Sequence, residues 1–308
     1  MANLIQYLLQ GLDDFQQSIK YPLKWLYLGY MDVFLRYKRS IIGPFWITIS
    51  ISVVIFVLSH LWAQILSIDF NFFVSYFAIG YILWHWLSST VIESSSSMTE
   101  FEGLLKQINI PISTYLLRVS LRNFLIFLHN CLLIFLVIFL FDSDVNFFEF
   151  LTISLPSIFL IFISLTSLGI MISIISVRYR DISSIISFLM QLLFFITPII
   201  WHPDVINKST ALLEYNLFYY WIDVIRQPLL GLEIHDNSIL IIFVTSIMCI
   251  LVTAFVIGRY KKKIIYCRFL NQNDMSSVAK VTVISEYIYK QLFDKNEIPI
   301  GHYIKINN

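Results

Sequence analysis

Six long, nearly unbroken apolar stretches limit the fold of this chain more tightly than any other feature. They run over residues 44–66, 72–92, 123–141, 151–177, 185–201 and 238–257. An α-helix rises about 1.5 Å per residue, so about 20 apolar residues cross the roughly 30 Å hydrocarbon core of a bilayer. The fifth stretch is the shortest and ends in Thr197-Pro198. The 308 residues are 58% hydrophobic and 13% charged, against about 45–50% and about 25% in ordinary globular chains. The expected fold class is all-α and integral to a membrane, with six transmembrane helices.

Basic residues orient the six spans. With both termini placed on the cytoplasmic side, residues 1–43, 93–122, 178–184 and 258–308 hold 5, 3, 2 and 9 Lys or Arg. Only Lys208 and Arg226 fall on the other side. Positive charge favours cytoplasmic flanks, so this orientation is expected and its reverse is not.

The segments beside the spans carry their own patterns. Leu4, Ile5, Leu8, Leu9, Leu12, Phe15 and Ile19 fall on one helical face, with Gln6, Gln10, Asp13, Asp14 and Gln17 on the other. That pattern reads as an amphipathic helix lying in the interface, followed from Pro22 by a second helix rich in Trp and Tyr. Either a gate or a passive anchor fits it. Asp13 and Asp14 also break any apolar run of the kind a secretory signal needs. The run "RYKRSIIGPFW" then sets Arg36, Lys38 and Arg39 against the mouth of the first span. These cations either anchor the span or meet an anionic head group or pyrophosphate, for which guanidinium forks are well shaped.

After the second span, "SSSSMTEFEGLLKQINIPIS" pairs Ser97 with Glu100 and Thr99 with Glu102 in capping-box spacing. A short helix with Leu104, Leu105 and Ile108 on one face is expected at about 99–109. That face packs either on a soluble partner or on the chain's own spans. Residues 202–237 are long and mixed, with Tyr215, Tyr219, Tyr220, Trp221, Asp223 and Arg226. They read as one or two short helices dipping into the membrane, forming an outer gate or an aromatic belt.

Several chemistries are excluded. No G-x-x-x-x-G-K-[ST], H-E-x-x-H or G-x-S-x-G occurs, so no nucleotide loop, zinc protease site or nucleophile elbow is expected. Cys131, Cys249 and Cys267 lack metal spacing, as do His60, His85 and His129. Acidic residues are scarce in the spans, against a proton- or sodium-driven carrier. No catalytic residue, metal or cofactor is expected in this chain, and no nucleic-acid partner.

Three motifs carry a likeness to a known family. "RYKRSIIGPFW", "VRYRDISSIISFLMQLLFFITPIIW" and "DVIRQPLLG" occur in order over about residues 20–265. Together they resemble the permease subunit of ABC-2-type (type V exporter-like) polysaccharide exporters, in particular the O-antigen and lipopolysaccharide permeases of Gram-negative bacteria. The resemblance implies a homodimer in the bacterial inner membrane, working with two copies of a separate ABC ATPase that binds ATP and Mg. Its cargo would be an undecaprenyl-pyrophosphate-linked polysaccharide. It also implies a gate helix and loading loop in 1–43, a transmembrane domain over 44–257 and an ATPase-coupling helix around Glu102, Leu104, Leu105 and Ile108. An outer gate would include Tyr215, Tyr219, Tyr220 and Trp221. Arg36, Lys38 and Arg39 would meet the pyrophosphate, and Phe45, Trp46 and Trp62 would line the path. The basic end and tail, 258–308, run longer than such proteins usually do. The alternatives are an ABC-2 permease for a capsular chain, teichoic acid or drug, or an ATP-independent carrier or flippase.

Overall fold

Proline and glycine punctuate the helices of the computed structural model, which describes residues 2–38, 41–43, 45–100, 111–141, 145–179, 181–203, 211–235 and 237–266. Helix α1 is Ala2–Lys20. Pro22 occupies the first turn of α2, Pro22–Tyr37, where its missing N–H costs nothing. Gly43 then takes φ +63, a left-handed turn that suits a residue with no Cβ. Its carbonyl accepts the Trp46 amide at 3.3 Å as α3, Phe45–Leu66, begins. A tight turn follows, and the Asp69 carboxylate accepts the Phe72 amide at 3.0 Å in the first turn of α4.

Helix α4, Phe70–Glu100, is 31 residues long and forms the centre of the fold. It packs against α3, against α5 (Ile112–Leu140), against α6 (Phe147–Arg178) and against α7 (Ile182–Ile196). Phe73, Tyr76, Phe77, Ile79, Leu83, Trp86 and Leu87 are all buried along it. Trp86 stacks on Phe127 of α5 with centroids 4.5 Å apart. Toward its end the packing residues become small. Ser94 lies so close to Gly169 of α6 that a Cβ there would sit 2.5 Å from the Ser94 hydroxyl. Small residues are what let membrane helices approach closely.

Two short helices, α8 (Ala211–Glu214) and α9 (Leu217–Leu229), precede the last, α10 (Ser238–Tyr266). Helix α6 contains one π turn, Phe150–Ser154. Pro156 supplies no N–H to the carbonyl four residues back, which favours a wider turn there.

Four helices are long and apolar enough to cross a membrane: Phe45–Leu66, Ile112–Leu140, Phe147–Arg178 and Ser238–Arg259. Helix α4 has the length, but Asn71, Ser75, Tyr76, Tyr81 and His85 in its apolar part make it more polar. Helix α7 has 15 residues, about 22 Å at helical rise. The contacts divide the chain into Met1–Lys262 and Lys263–Asn308. Of the second unit, only 263–266 is among the described residues, and it is helical.

The helix expected at about 99–109 falls almost wholly outside the described residues, and only the first of its two capping-box candidates, Ser97 with Glu100, lies among them. Helix α4 runs through to Glu100, and the buried Ser97 hydroxyl donates to the Ser94 carbonyl at 2.8 Å. The capping-box spacing is present, but the turn it would start is already part of a helix.

Candidate functional site

Both ends of α4 carry polar clusters, and the end at Glu93 is the more highly charged. Glu93 Oε2 accepts from Arg122 Nη2 at 2.6 Å and from Asn123 Nδ2 at 2.7 Å, which ties α4 to α5. Its other oxygen, Oε1, accepts from Arg36 Nη2 at 3.2 Å. One turn before Arg122, Arg118 forks onto both oxygens of Asp32 from α2. Arg122 also stands 3.7 Å from Asp32. Glu93 lies one residue past the apolar stretch 72–92. Burial pushes its carboxyl up, but Arg122, Asn123 and Arg36 together overcome that and hold it below its usual value.

Helix α1 joins the same end of the molecule. The Asp14 carboxylate is fully buried and accepts the amides of Ile112 and Ser113 and the Ser113 hydroxyl, at 3.4, 3.0 and 2.7 Å. The residue capping α5, Pro111, makes no side-chain cap of its own. Asp14 therefore caps α5 from another helix, and its charge suits the positive end of the helix dipole. Ser18 adds contacts to Ser113 and Thr114 at 2.8 and 2.9 Å. On the neighbouring side α1 crosses α10 backbone to backbone. A Cβ at Gly11 would strike the Ala254 carbonyl, and one at Gly258 would strike the Tyr7 carbonyl.

At the other end, Tyr76, the chain after α7 and helix α9 meet. Arg226 of α9 is fully buried, its guanidinium carbon 3.8 Å from the centre of the Tyr76 ring. Its Nη1 donates to the Pro198 carbonyl at 2.8 Å, and the Tyr76 hydroxyl donates to the same oxygen at 3.0 Å. The irregular chain from Thr197 to Ile200 is buried beneath this contact. One turn back on α9, Asp223 accepts from the His235 amide at 3.1 Å and the Ser238 hydroxyl at 2.8 Å, which fastens α9 to the start of α10.

A profile of the ABC-2 type transporter family matches residues 26–230. This chain belongs to the ABC-2 type transporter family. It is a membrane component of an ABC transporter, and membership implies an ABC ATPase as partner. No curated protein matches the chain. The ABC-2 match takes in both ends of α4, including Arg36, Glu93, Arg122, Asp223 and Arg226, and stops short of α1 and α10.

The site residues expected from sequence are distributed over this permease as follows. Arg36 joins the Glu93 cluster, and Lys38 is exposed just past α2. Phe45 and Trp46 are 57% and 59% exposed, while Trp62 is half-buried against the core. Tyr219, Tyr220 and Trp221 come together, buried on α9, and the Tyr220 hydroxyl donates to the Glu214 carbonyl at 3.1 Å. Tyr215 stands apart at 88% exposure. Arg39, Glu102, Leu104, Leu105 and Ile108 lie outside the described residues. Sequence reasoning assigned no role to Asp14, Glu93 or Tyr76. It placed Asp223 and Arg226 in the outer segment and in a motif but gave neither a role of its own, although two opposite charges one turn apart in a helix were a usable signal.

Proposed function

We propose that this permease is one half of an exporter of polyprenyl-pyrophosphate-linked polysaccharide in a bacterial inner membrane. Two copies form the path, and two copies of a separate ATPase drive it. Six segments span: the four long apolar helices, the more polar α4 and the short α7. Both termini face the cytoplasm, because nineteen of the 21 Lys and Arg then lie on that side. The segment at about 99–109, with Glu102, Leu104, Leu105 and Ile108, receives the ATPase and passes its motion into α5.

The observation that carries the reading is the placement of Arg36. It stands 40% exposed at the end of α2, directly before the first long apolar helix and beside the exposed Lys38. A lipid-borne pyrophosphate sliding in the head-group layer meets cations at that level, and guanidinium suits phosphate oxygens. The dimer is supported by α7, whose exposed face carries Ser184, Phe188, Gln191 and Phe195. An amide left in hydrocarbon without a partner is costly, so Gln191 suits a face turned to a second copy or to a watery path. Aromatic side chains along such a path stack on sugar rings. Phe45, Trp46 and Trp62 serve there, and the Tyr219, Tyr220 and Trp221 group closes the outer end with Tyr215 at its rim.

The test replaces Arg36 and Arg39 together by Gln and follows surface polysaccharide. Export falls while membrane insertion and ATPase copurification stay normal. Unchanged surface polysaccharide removes the pyrophosphate role.

A further inference from the structure

The two oxygens of Glu93 have separate duties. Oε2 is held by Arg122 and Asn123 at 2.6 and 2.7 Å, and this contact fixes α4 to α5. Oε1 takes a longer bond of 3.2 Å from Arg36, its one partner among the described residues. The three guanidiniums of the cluster differ in the same way. Arg118 and Arg122 are 15% and 16% exposed and engaged between helices, whereas Arg36 is 40% exposed and, among the described residues, reaches one carboxylate oxygen.

We propose that Glu93 is a built-in counter-ion for Arg36, displaced when a diphosphate head group arrives. This rests on the reading above that Arg36 meets the lipid-linked pyrophosphate. An exposed ion pair is weak and exchanges easily. A diphosphate offers more negative charge than one carboxylate, and several oxygens that a guanidinium fork can take two at a time. The exchange also gives selectivity. An uncovered Arg36 at the membrane surface would bind the single negative charge of any anionic phospholipid. Covered by Glu93, it yields to a diphosphate and resists a phosphodiester, which is discrimination by a competing interaction. Glu93 is thus a positioning and specificity residue that need not touch the cargo.

Glu93→Gln separates the two duties. Its amide oxygen can still accept from Arg122 and Asn123, while its NH₂ faces Arg36 and releases it. Binding is measured with the purified permease–ATPase complex in phosphatidylcholine vesicles containing polyprenyl pyrophosphate, with phosphatidylglycerol as the competing lipid. E93Q binds the diphosphate lipid about two- to fivefold more tightly, the scale of an exposed ion pair, and phosphatidylglycerol now competes. R36Q weakens binding, and the E93Q/R36Q double variant behaves as R36Q does. Soluble inorganic pyrophosphate forms a second arm. Competition by it shows that the diphosphate alone displaces Glu93, and failure to compete shows that the lipid-borne form is needed. Either result supports the exchange if E93Q shows its gain.

If R36Q weakens binding but E93Q does not strengthen it, the counter-ion role is overturned and the pyrophosphate reading stands. If R36Q changes nothing, both fall. Because losing the Glu93 charge also lowers the melting temperature near neutrality, Glu93→Asp is the second variant. Its shorter arm keeps the α5 side of the contact and withdraws from Arg36, and the same gain is expected.

Discussion

Asp14 and Ser113, 99 residues apart, share two hydrogen bonds in which the buried carboxylate of α1 accepts both the amide and the hydroxyl of α5's second residue. Helix α1 therefore supplies the cap that Pro111 does not make. Asp14→Ala removes a charge-assisted cap and leaves two amides unsatisfied, at a cost of about 1.5–3 kcal/mol. Asp14→Asn keeps an acceptor and costs less. Thermal unfolding in detergent reads the difference, and equal melting temperatures for D14A and wild type would count against the cap.

The crossing of α1 and α10 has no room for a side chain. Gly11→Val and Gly258→Val each force the two backbones apart, with a penalty of about 1–3 kcal/mol typical of overpacking. Limited proteolysis should cut within α1 sooner in either variant than in wild type. Unchanged cleavage would show that the two helices are not held together in solution.

Arg226 is a buried cation capping the chain just past α7, with Tyr76 beneath it. Arg226→Gln loses a desolvated cation–π contact of about 2 kcal/mol as well as its bond to Pro198. Tyr76→Phe keeps the ring and loses only the hydroxyl's bonds, at about 0.5–1.5 kcal/mol each. The expected order of melting temperatures is wild type, Y76F, R226Q. A reversed order would mean that the hydroxyl, and not the cation, holds the junction.

Glu93 sets a direction with pH. Its carboxyl is held below the ordinary value in the folded protein, so its stabilising contribution is complete above the unfolded value. It is lost as pH falls through the folded one. The melting temperatures of wild type and E93Q should therefore differ by a constant amount near neutrality and converge below about pH 4. A gap that closes between pH 7 and 5 would contradict the depressed value.

The helices were legible because apolar length is a strong signal, and the family resemblance lay in motifs that the ABC-2 match takes in but for the final Gly231. Helix α1 shows where pattern reading reached its limit. Its apolar face was evident, but Asp14 was assigned to the wetted side. In the structure Ile5, Leu9, Leu12 and Ile19 are exposed, while Gly11, Asp14 and Ser18 are buried. Beside lipid the apolar stripe turns outward, and small or polar residues make the protein contact. A search for apolar periodicity finds the first stripe and passes over the second. Ser97 lies within α4, so its spacing to Glu100 marks no helix start, since a capping box does so only where the chain is not already helical. The separate duties of the two Glu93 oxygens depend on residues from three helices, and no local spacing could reveal them.

The wide turn at Phe150–Ser154 fits one more residue into α6 than regular coiling would. Just there the Ser154 hydroxyl reaches the Val224 carbonyl at 2.7 Å, and a few residues earlier the Asn146 amide reaches Pro228 at 2.8 Å. Shortening the chain by a single residue at this point would restore an unbroken spiral and swing everything before it by about 100°, so that Asn146 would face away from the partner it now holds. Among homologous chains, then, a gap at this position should never occur alone, but only together with a rebuilt α9.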